Sequence, residues 1–189
     1  KEKYALKQHI AFSYPNWKLI DCDSLADATD MVLHQKADCF LMGTSQGGMV
    51  SALAAAAHPE TVRGLVLLYP AFCIPEDMTA LFPSYSDVPE TYYFRWLNIG
   101  RPYFEHLYGF DPYAVIGSYK KDVLILHGDS DGIVPVSYSR RAVDAYSSAR
   151  LETFRGAGHG FYGDDFEAAA GFMLEYMSEH LNSAKNMNR

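Results

Sequence analysis

Three apolar runs, at residues 37–42, 64–69 (GLVLLY) and 122–127 (DVLILH), lack the polar alternation of a half-exposed sheet. Unbroken apolar runs of that length are expected of parallel strands covered on both faces. A weaker run lies at 151–154. Helical patterns separate them. Leu25, Ala28, Met31 and Val32 share one face over 24–35, with Ser24 placed to cap and Asp27 at the third helical position. Residues 49–57 are alanine-rich and stopped by Pro59, and 137–147 and 164–181 also read as helices. Strand and helix alternate through the later two-thirds of the chain, which predicts an α/β fold with a mostly parallel sheet flanked by helices.

Between 71 and 119 the pattern fails. The stretch carries Pro75, Pro83, Pro89, Pro102 and Pro112 together with Tyr92-Tyr93-Phe94, Trp96, Tyr103-Phe104 and Tyr108. It is too apolar for a linker and too irregular for a sheet layer, so an insertion folded over the main body is expected. With 189 residues, 49% of them hydrophobic, the chain has the size of one domain (1–189) with 72–119 as a cap.

A net charge of -7 and a pI near 5.4, with no local Lys/Arg cluster, argue against nucleic acid as a partner. No apolar run approaches the roughly 18 residues of a membrane span, and Lys1-Glu2-Lys3-Tyr4 does not lead into a signal-like segment. Cys22, Cys39 and Cys73 lack zinc-site spacing and read as small buried hydrophobes of a reducing, cytoplasmic compartment.

The chemistry-bearing segment is GTSQGG at 43–48, which lies between a strand pattern and a helix pattern. A strand turning sharply into a helix forces the first turn residue into strained geometry and projects its side chain, so small neighbours are needed around Ser45. A serine hydroxyl requires a histidine to take its proton and an acid to hold that histidine's tautomer. LHGDSDGIVP at 126–135 and GAGHGF at 156–161 both follow strands, and loops after parallel strands gather at one sheet edge. Asp131, with Asp129 as a rival, and His159 are the candidates. The DSDG run lacks the remaining ligands of a calcium loop, so no metal is expected. His127 reads as the end of a strand beside a turn glycine, and His9, His34, His58, His106 and His180 as surface or packed rings.

These three motifs, in the order Ser, Asp, His, resemble the serine α/β-hydrolase superfamily, and within it the bacterial cinnamoyl/feruloyl esterase and acylaminoacyl-peptidase-like branches. The resemblance covers residues 22–181. It implies an α/β-hydrolase fold with Ser45 as nucleophile, His159 as general base and then acid, and Asp131 as the orienting carboxylate. Asp131 is preferred to Asp129 because the family's acid is the third residue after HG and sits just before a Val-Pro pair, here Val134-Pro135. The backbone N–H of Gln46 would be one oxyanion donor. The implied activity is hydrolysis of small carboxylic esters, hydroxycinnamoyl esters among them, with no cofactor. A peptidase or amidase with the same triad, and a non-catalytic binding module that keeps the fold, are the alternatives.

One part of the family pattern is missing. The second oxyanion donor usually comes from an early loop bearing HG, yet only 44 residues precede Ser45 and both HG pairs, His127-Gly128 and His159-Gly160, are already placed. The expectation is a chain that lacks the first strands of its family, with an exposed sheet edge that favours association into homo-oligomers. The cap aromatics suit an aromatic acyl group or the cap's own core, and the composition does not choose between them. Arg95 and Arg101 read as solvent-facing rather than as anchors for a substrate carboxylate.

Overall fold

The computed structural model describes residues 39–94, 97–105 and 107–187. The expected helix at 24–35, and Cys22, His9, His34, Arg95, Trp96 and His106, lie outside the described residues.

The elements run β1 (Cys39–Thr44), α1 (Gln46–Ala57), β2 (Val62–Leu68), α2 (Ile74–Leu81), β3 (Thr91–Phe94), β4 (Leu97–Gly100), α3 (Pro102–Glu105), α4 (Tyr113–Ile116), β5 (Val123–Gly128), α5 (Val136–Ala145), β6 (Ala149–Phe154) and α6 (Asp164–Met187). Strands β1, β2, β5 and β6 pair in that order, all parallel. Each apolar run of the sequence is one of these strands, shifted by a residue or two.

The absence of alternation has the expected cause. Leu65, Leu67, Val123 and Ile125 point into a core shared with α1, α4 and α5, which contribute Leu53, Ile116 and Ala142. Their neighbours Val66, Leu68, Leu124 and Leu126 point the other way, onto Ala169, Met173 and Tyr176 of α6. Successive strand residues face opposite sides, so a strand covered on both must be apolar throughout. Tyr176 also ties α6 to the sheet: its hydroxyl accepts the Leu65 N–H at 3.1 Å and donates to the Asp122 carbonyl at 2.5 Å.

The segment between β2 and β5 holds short helices, a turn at Tyr85–Asp87 and the antiparallel β3–β4 hairpin. Several of its aromatic rings pack on one another. Phe104 is fully buried, with Phe82, Tyr92 and Tyr103 around it at centroid distances of 5.7, 6.1 and 5.6 Å. Both ends of the segment are anchored in the main core, through Phe72 on one side and Ile116 and Tyr119 on the other. Arg101 lies over the Tyr85 ring and pairs with Glu90 at 3.3 Å. Of the thiols, Cys73 is buried at the head of α2 and Cys39 is half-buried.

Candidate active site

Ser45 joins β1 directly to α1 and is one of two non-glycine residues with positive φ among the described residues, at φ 52° and ψ −123°. That conformation is costly for a residue with a Cβ, and it persists because the surroundings hold it. The Ser45 N–H donates to the Leu68 carbonyl at 3.0 Å, and the Ser45 carbonyl accepts from Ala71 at 2.9 Å and from Gly48 at 3.0 Å. The crowding falls on particular glycines. A Cβ on Gly43 would collide with the Gly47 carbonyl, and one on Gly48 would lie 2.9 Å from Pro70 Cα. Gly47 itself has open space where its Cβ would be, so its smallness is not required by packing, contrary to the sequence expectation.

His159 and Asp131 arrive from the loops after β6 and β5. The Ser45 hydroxyl lies 2.9 Å from His159 Nε2, and His159 Nδ1 lies 2.8 Å from Asp131 Oδ2. A carboxylate only accepts, so Nδ1 carries the proton and Nε2 is left to accept from the hydroxyl. The other Asp131 oxygen, Oδ1, accepts the N–H groups of Ile133 at 2.8 Å and Val134 at 2.9 Å. The Asp131 side chain is fully buried. Burial pushes its carboxyl up, but the Val134, His159 and Ile133 hydrogen bonds together hold it below the ordinary carboxylate range.

Asp129, the rival acid, does not reach the imidazole. It is exposed, and its Oδ1 accepts from Gly156 N–H at 2.7 Å and from the Ser130 hydroxyl at 3.0 Å. It ties the acid loop to the histidine loop instead. Tyr69, the second positive-φ residue at 38°, sets its ring against His159 at 4.7 Å and against Phe161 at 5.5 Å. Burial, with smaller contributions from Tyr162 and Asp131, pushes its hydroxyl up to about 12. No local pattern pointed to Tyr69; only the GLVLLYP run places it at the end of a strand beside the elbow.

Gln46 opens α1, so its N–H belongs to the helix turn that lacks intrahelical partners and points out of the N-terminus beside Ser45. The residues before Cys39, where the second donor is expected, lie outside the described residues. His127, read in the sequence as a strand end, is fully buried and lies 3.3 Å from Asp131 Oδ2. An open cleft of about 530 Å³ lies between α2, residues 109–112 and Arg141 of α5. Arg141 is held there by Glu76 at 2.5 Å and stacks on Tyr113 at 4.0 Å. No described helix is long and apolar enough to cross a membrane.

An alcohol, an imidazole and a carboxylate in hydrogen-bonded series form an arrangement that acyl transfer uses, and comparison with known proteins agrees with the fold around it. Est1E from Butyrivibrio proteoclasticus, in a structure with ferulic acid bound, is 27% identical, with a TM-score of 0.69 over 82% of this chain and 66% of that one. A second Est1E structure, also 27% identical, gives 0.70 over 82% and 68%. The chain thus spans about two-thirds of their length. A monoacylglycerol lipase from Paleococcus ferrophilus, 19% identical with a TM-score of 0.57 over 83% and 76%, shares the fold. Among curated proteins none matches. The model of the prolyl oligopeptidase family matches residues 5–184. With nearly the whole chain inside that match and the strand–elbow–helix arrangement around Ser45, this protein belongs to the prolyl oligopeptidase family of serine α/β hydrolases.

Proposed function

We propose that the chain is a serine hydrolase of small carboxylic esters, with Ser45 as nucleophile, His159 as general base and then acid, Asp131 as the orienting carboxylate and the Gln46 N–H as one oxyanion donor. The observation that carries the reading is the unbroken hydrogen-bonded series from the Ser45 hydroxyl through His159 to Asp131, starting on a strained strand-to-helix turn.

The Ser45 oxygen attacks the ester carbonyl while its proton passes to His159 Nε2. Charge develops on the former carbonyl oxygen, toward which the unpaired N–H at the start of α1 is directed. Collapse breaks the bond to the alkoxy oxygen, which takes the proton from His159 Nε2 and leaves as the alcohol. Water then attacks the acyl-enzyme, His159 takes its proton, and collapse returns that proton to Ser45 and releases the acid. Throughout, Asp131 holds the Nδ1–H tautomer and stabilises the imidazolium. The Tyr69 ring against one face of His159 limits the imidazole's swing.

Hydroxycinnamoyl esters are the substrate class favoured by the likeness to Est1E, which binds ferulic acid. The cap's aromatics lend no independent support, since Phe82, Tyr92, Tyr103 and Phe104 are packed against each other. The family match favours a second reading, cleavage of a peptide or aryl amide by the same groups. Fluorophosphonate labelling of wild type and Ser45→Ala tests the chemistry, and p-nitrophenyl or feruloyl esters against aminoacyl anilides test the bond. Labelling that depends on Ser45, with faster ester turnover, is expected. Equal labelling of both proteins would leave only a binding module that keeps the fold.

A further inference from the structure

We infer that His127 is a positioning residue for this site: as a neutral Nε2–H imidazole it holds the Asp131 carboxylate and thereby sets the basicity of His159. The inference rests on the triad reading above and adds a side chain to it.

His127 continues the face of β5 that carries Val123 and Ile125, which turns its ring toward α5. The ring is fully buried. Its Nε2 lies 2.9 Å from the Val134 carbonyl and 3.3 Å from Asp131 Oδ2, and its Nδ1 lies 2.7 Å from the hydroxyl of Ser139, which is also fully buried. Carbonyl and carboxylate oxygens only accept, so Nε2 carries the hydrogen. Burial disfavours the charged ring and holds its pKa below the ordinary histidine value, against the pull of the Val134 carbonyl and the Asp131 carboxylate. Nδ1 is therefore bare and accepts from the Ser139 hydroxyl, which fixes the tautomer.

Two imidazoles thus converge on one oxygen. Asp131 Oδ2 receives His159 Nδ1–H at 2.8 Å, and His127 Nε2, whose hydrogen goes to the Val134 carbonyl, lies 3.3 Å from the same oxygen, while Oδ1 receives the Ile133 and Val134 N–H groups. Val134 is gripped from both sides, its N–H by Asp131 and its carbonyl by His127. The ring closes the acid loop onto the sheet and takes a share of the carboxylate's charge. Removing its N–H leaves more of that charge for His159, so the protonated His159 is stabilised and the acid limb of the rate profile moves to higher pH. The other titratable groups that act on Asp131 from packed elements are Tyr69, pushed up to about 12 by burial, and Cys73, pushed higher by burial and by Asp77. Both stay neutral over the working range, so a moved profile reports the Asp131–His159 pair.

The test compares kcat/KM against pH for wild type, His127→Leu and His127→Gln, with rates normalised to fluorophosphonate-labelled sites. In His127→Leu the acid-limb pKa should rise by about half a unit. The rate per labelled site should fall about tenfold, as when outer partners that orient ligating imidazoles are lost. His127→Gln, which keeps an N–H for the carbonyl and carboxylate, should recover most of both. A variant with fewer labelled sites but a wild-type profile per site would reduce His127 to packing and overturn the inference. Nitrogen NMR of the wild-type imidazoles provides a check that needs no variant to fold: His127 should stay Nε2–H and neutral between about pH 7 and pH 9, since burial lowers its pKa from the ordinary value. An Nδ1–H tautomer, or titration within that range, would equally overturn it. Loss of the triad itself would show separately, as labelling of wild type no stronger than that of Ser45→Ala.

Discussion

Replacing Asp131 with Asn changes one atom and separates tautomer control from mere filling of space. The Ile133 and Val134 N–H groups, at 2.8 and 2.9 Å, face Oδ1 and decide which way round the new amide sits. Its oxygen must stay toward them, since the flipped amide would set its NH₂ against two backbone donors. The NH₂ then faces His159 Nδ1, which has to accept, and the imidazole is driven to the Nε2–H form. That form points a hydrogen at the Ser45 oxygen and cannot take its proton. The same change in a serine-protease triad lowers turnover about ten-thousandfold, or about 5.5 kcal/mol of transition-state stabilisation. The fold should survive, because the Oδ1 bonds persist and His127 keeps the Val134 carbonyl at 2.9 Å. A loss of about 1–3 kcal/mol in urea unfolding is expected from the charge-assisted bonds given up. The assay is kcat/KM on a p-nitrophenyl ester beside an unfolding curve, with Asp129→Asn as the control. The reasoning is refuted if Asp131→Asn stays within tenfold of wild type, or if Asp129→Asn costs as much.

Gly43→Ala should destabilise the fold by about 3 kcal/mol or more, since its Cβ meets the Gly47 carbonyl, whereas Gly47→Ala should leave the melting temperature within a few degrees of wild type. Phe104→Ala, which empties the centre of the cap's ring cluster, should cost about 3–5 kcal/mol if the cap unfolds together with the main body; an earlier, separate cap transition would show that it does not. Stability should also fall with falling pH. The depressed pKa of His127 makes its contribution complete above about pH 6.5 and lost as pH drops toward the folded value, with a slope of at most about 1.4 kcal/mol per pH unit. Asp131, whose pKa is also lowered, contributes above about pH 3.9 and loses that contribution on further acidification. Unfolding curves across about pH 2 to pH 8 check the sign, and stability that rises on acidification would contradict it.

The four described sheet strands were legible because burial on both faces leaves no room for polar residues, a constraint written directly into runs such as GLVLLY and DVLILH. Ser45, Asp131 and His159 could be singled out from the sequence because each sits in a loop whose shape demands a local pattern. The choice of Asp131 over Asp129 came from the family resemblance and not from the local residues: both lie in one turn, and their separate destinations, the Gly156 N–H and the His159 ring, depend on how another loop approaches. His127 ends β5 as the sequence suggested, but its partners were not legible for a similar reason: its Nδ1 meets Ser139, a residue 12 positions away on a helix whose rotation about its axis no nearby residue reveals. The cap's rings were ambiguous because pocket lining and core packing call for the same side chains, and only their mutual contacts show which they do.

The acid and base loops are better understood as one unit than as two independent contributors. Asp129 N–H donates to the Phe154 carbonyl and Ser130 N–H to the Ala157 carbonyl, both at 3.0 Å, while the Asp129 carboxylate takes the Gly156 N–H at 2.7 Å. These bonds cross between the two loops. A Cβ on Gly128 would strike the Ala157 carbonyl, so the close approach of the two loops depends on a missing side chain at the end of β5. Spacing within this unit decides whether His159 reaches Ser45 and Asp131 together, since an imidazole moved by about 1 Å loses about a hundredfold in rate. Gly128→Ala should therefore reduce turnover far more than it lowers the melting temperature, because the collision falls between loops that can separate slightly without unfolding the sheet. A parallel loss of both would place Gly128 in the sheet's packing instead of in the alignment of the site.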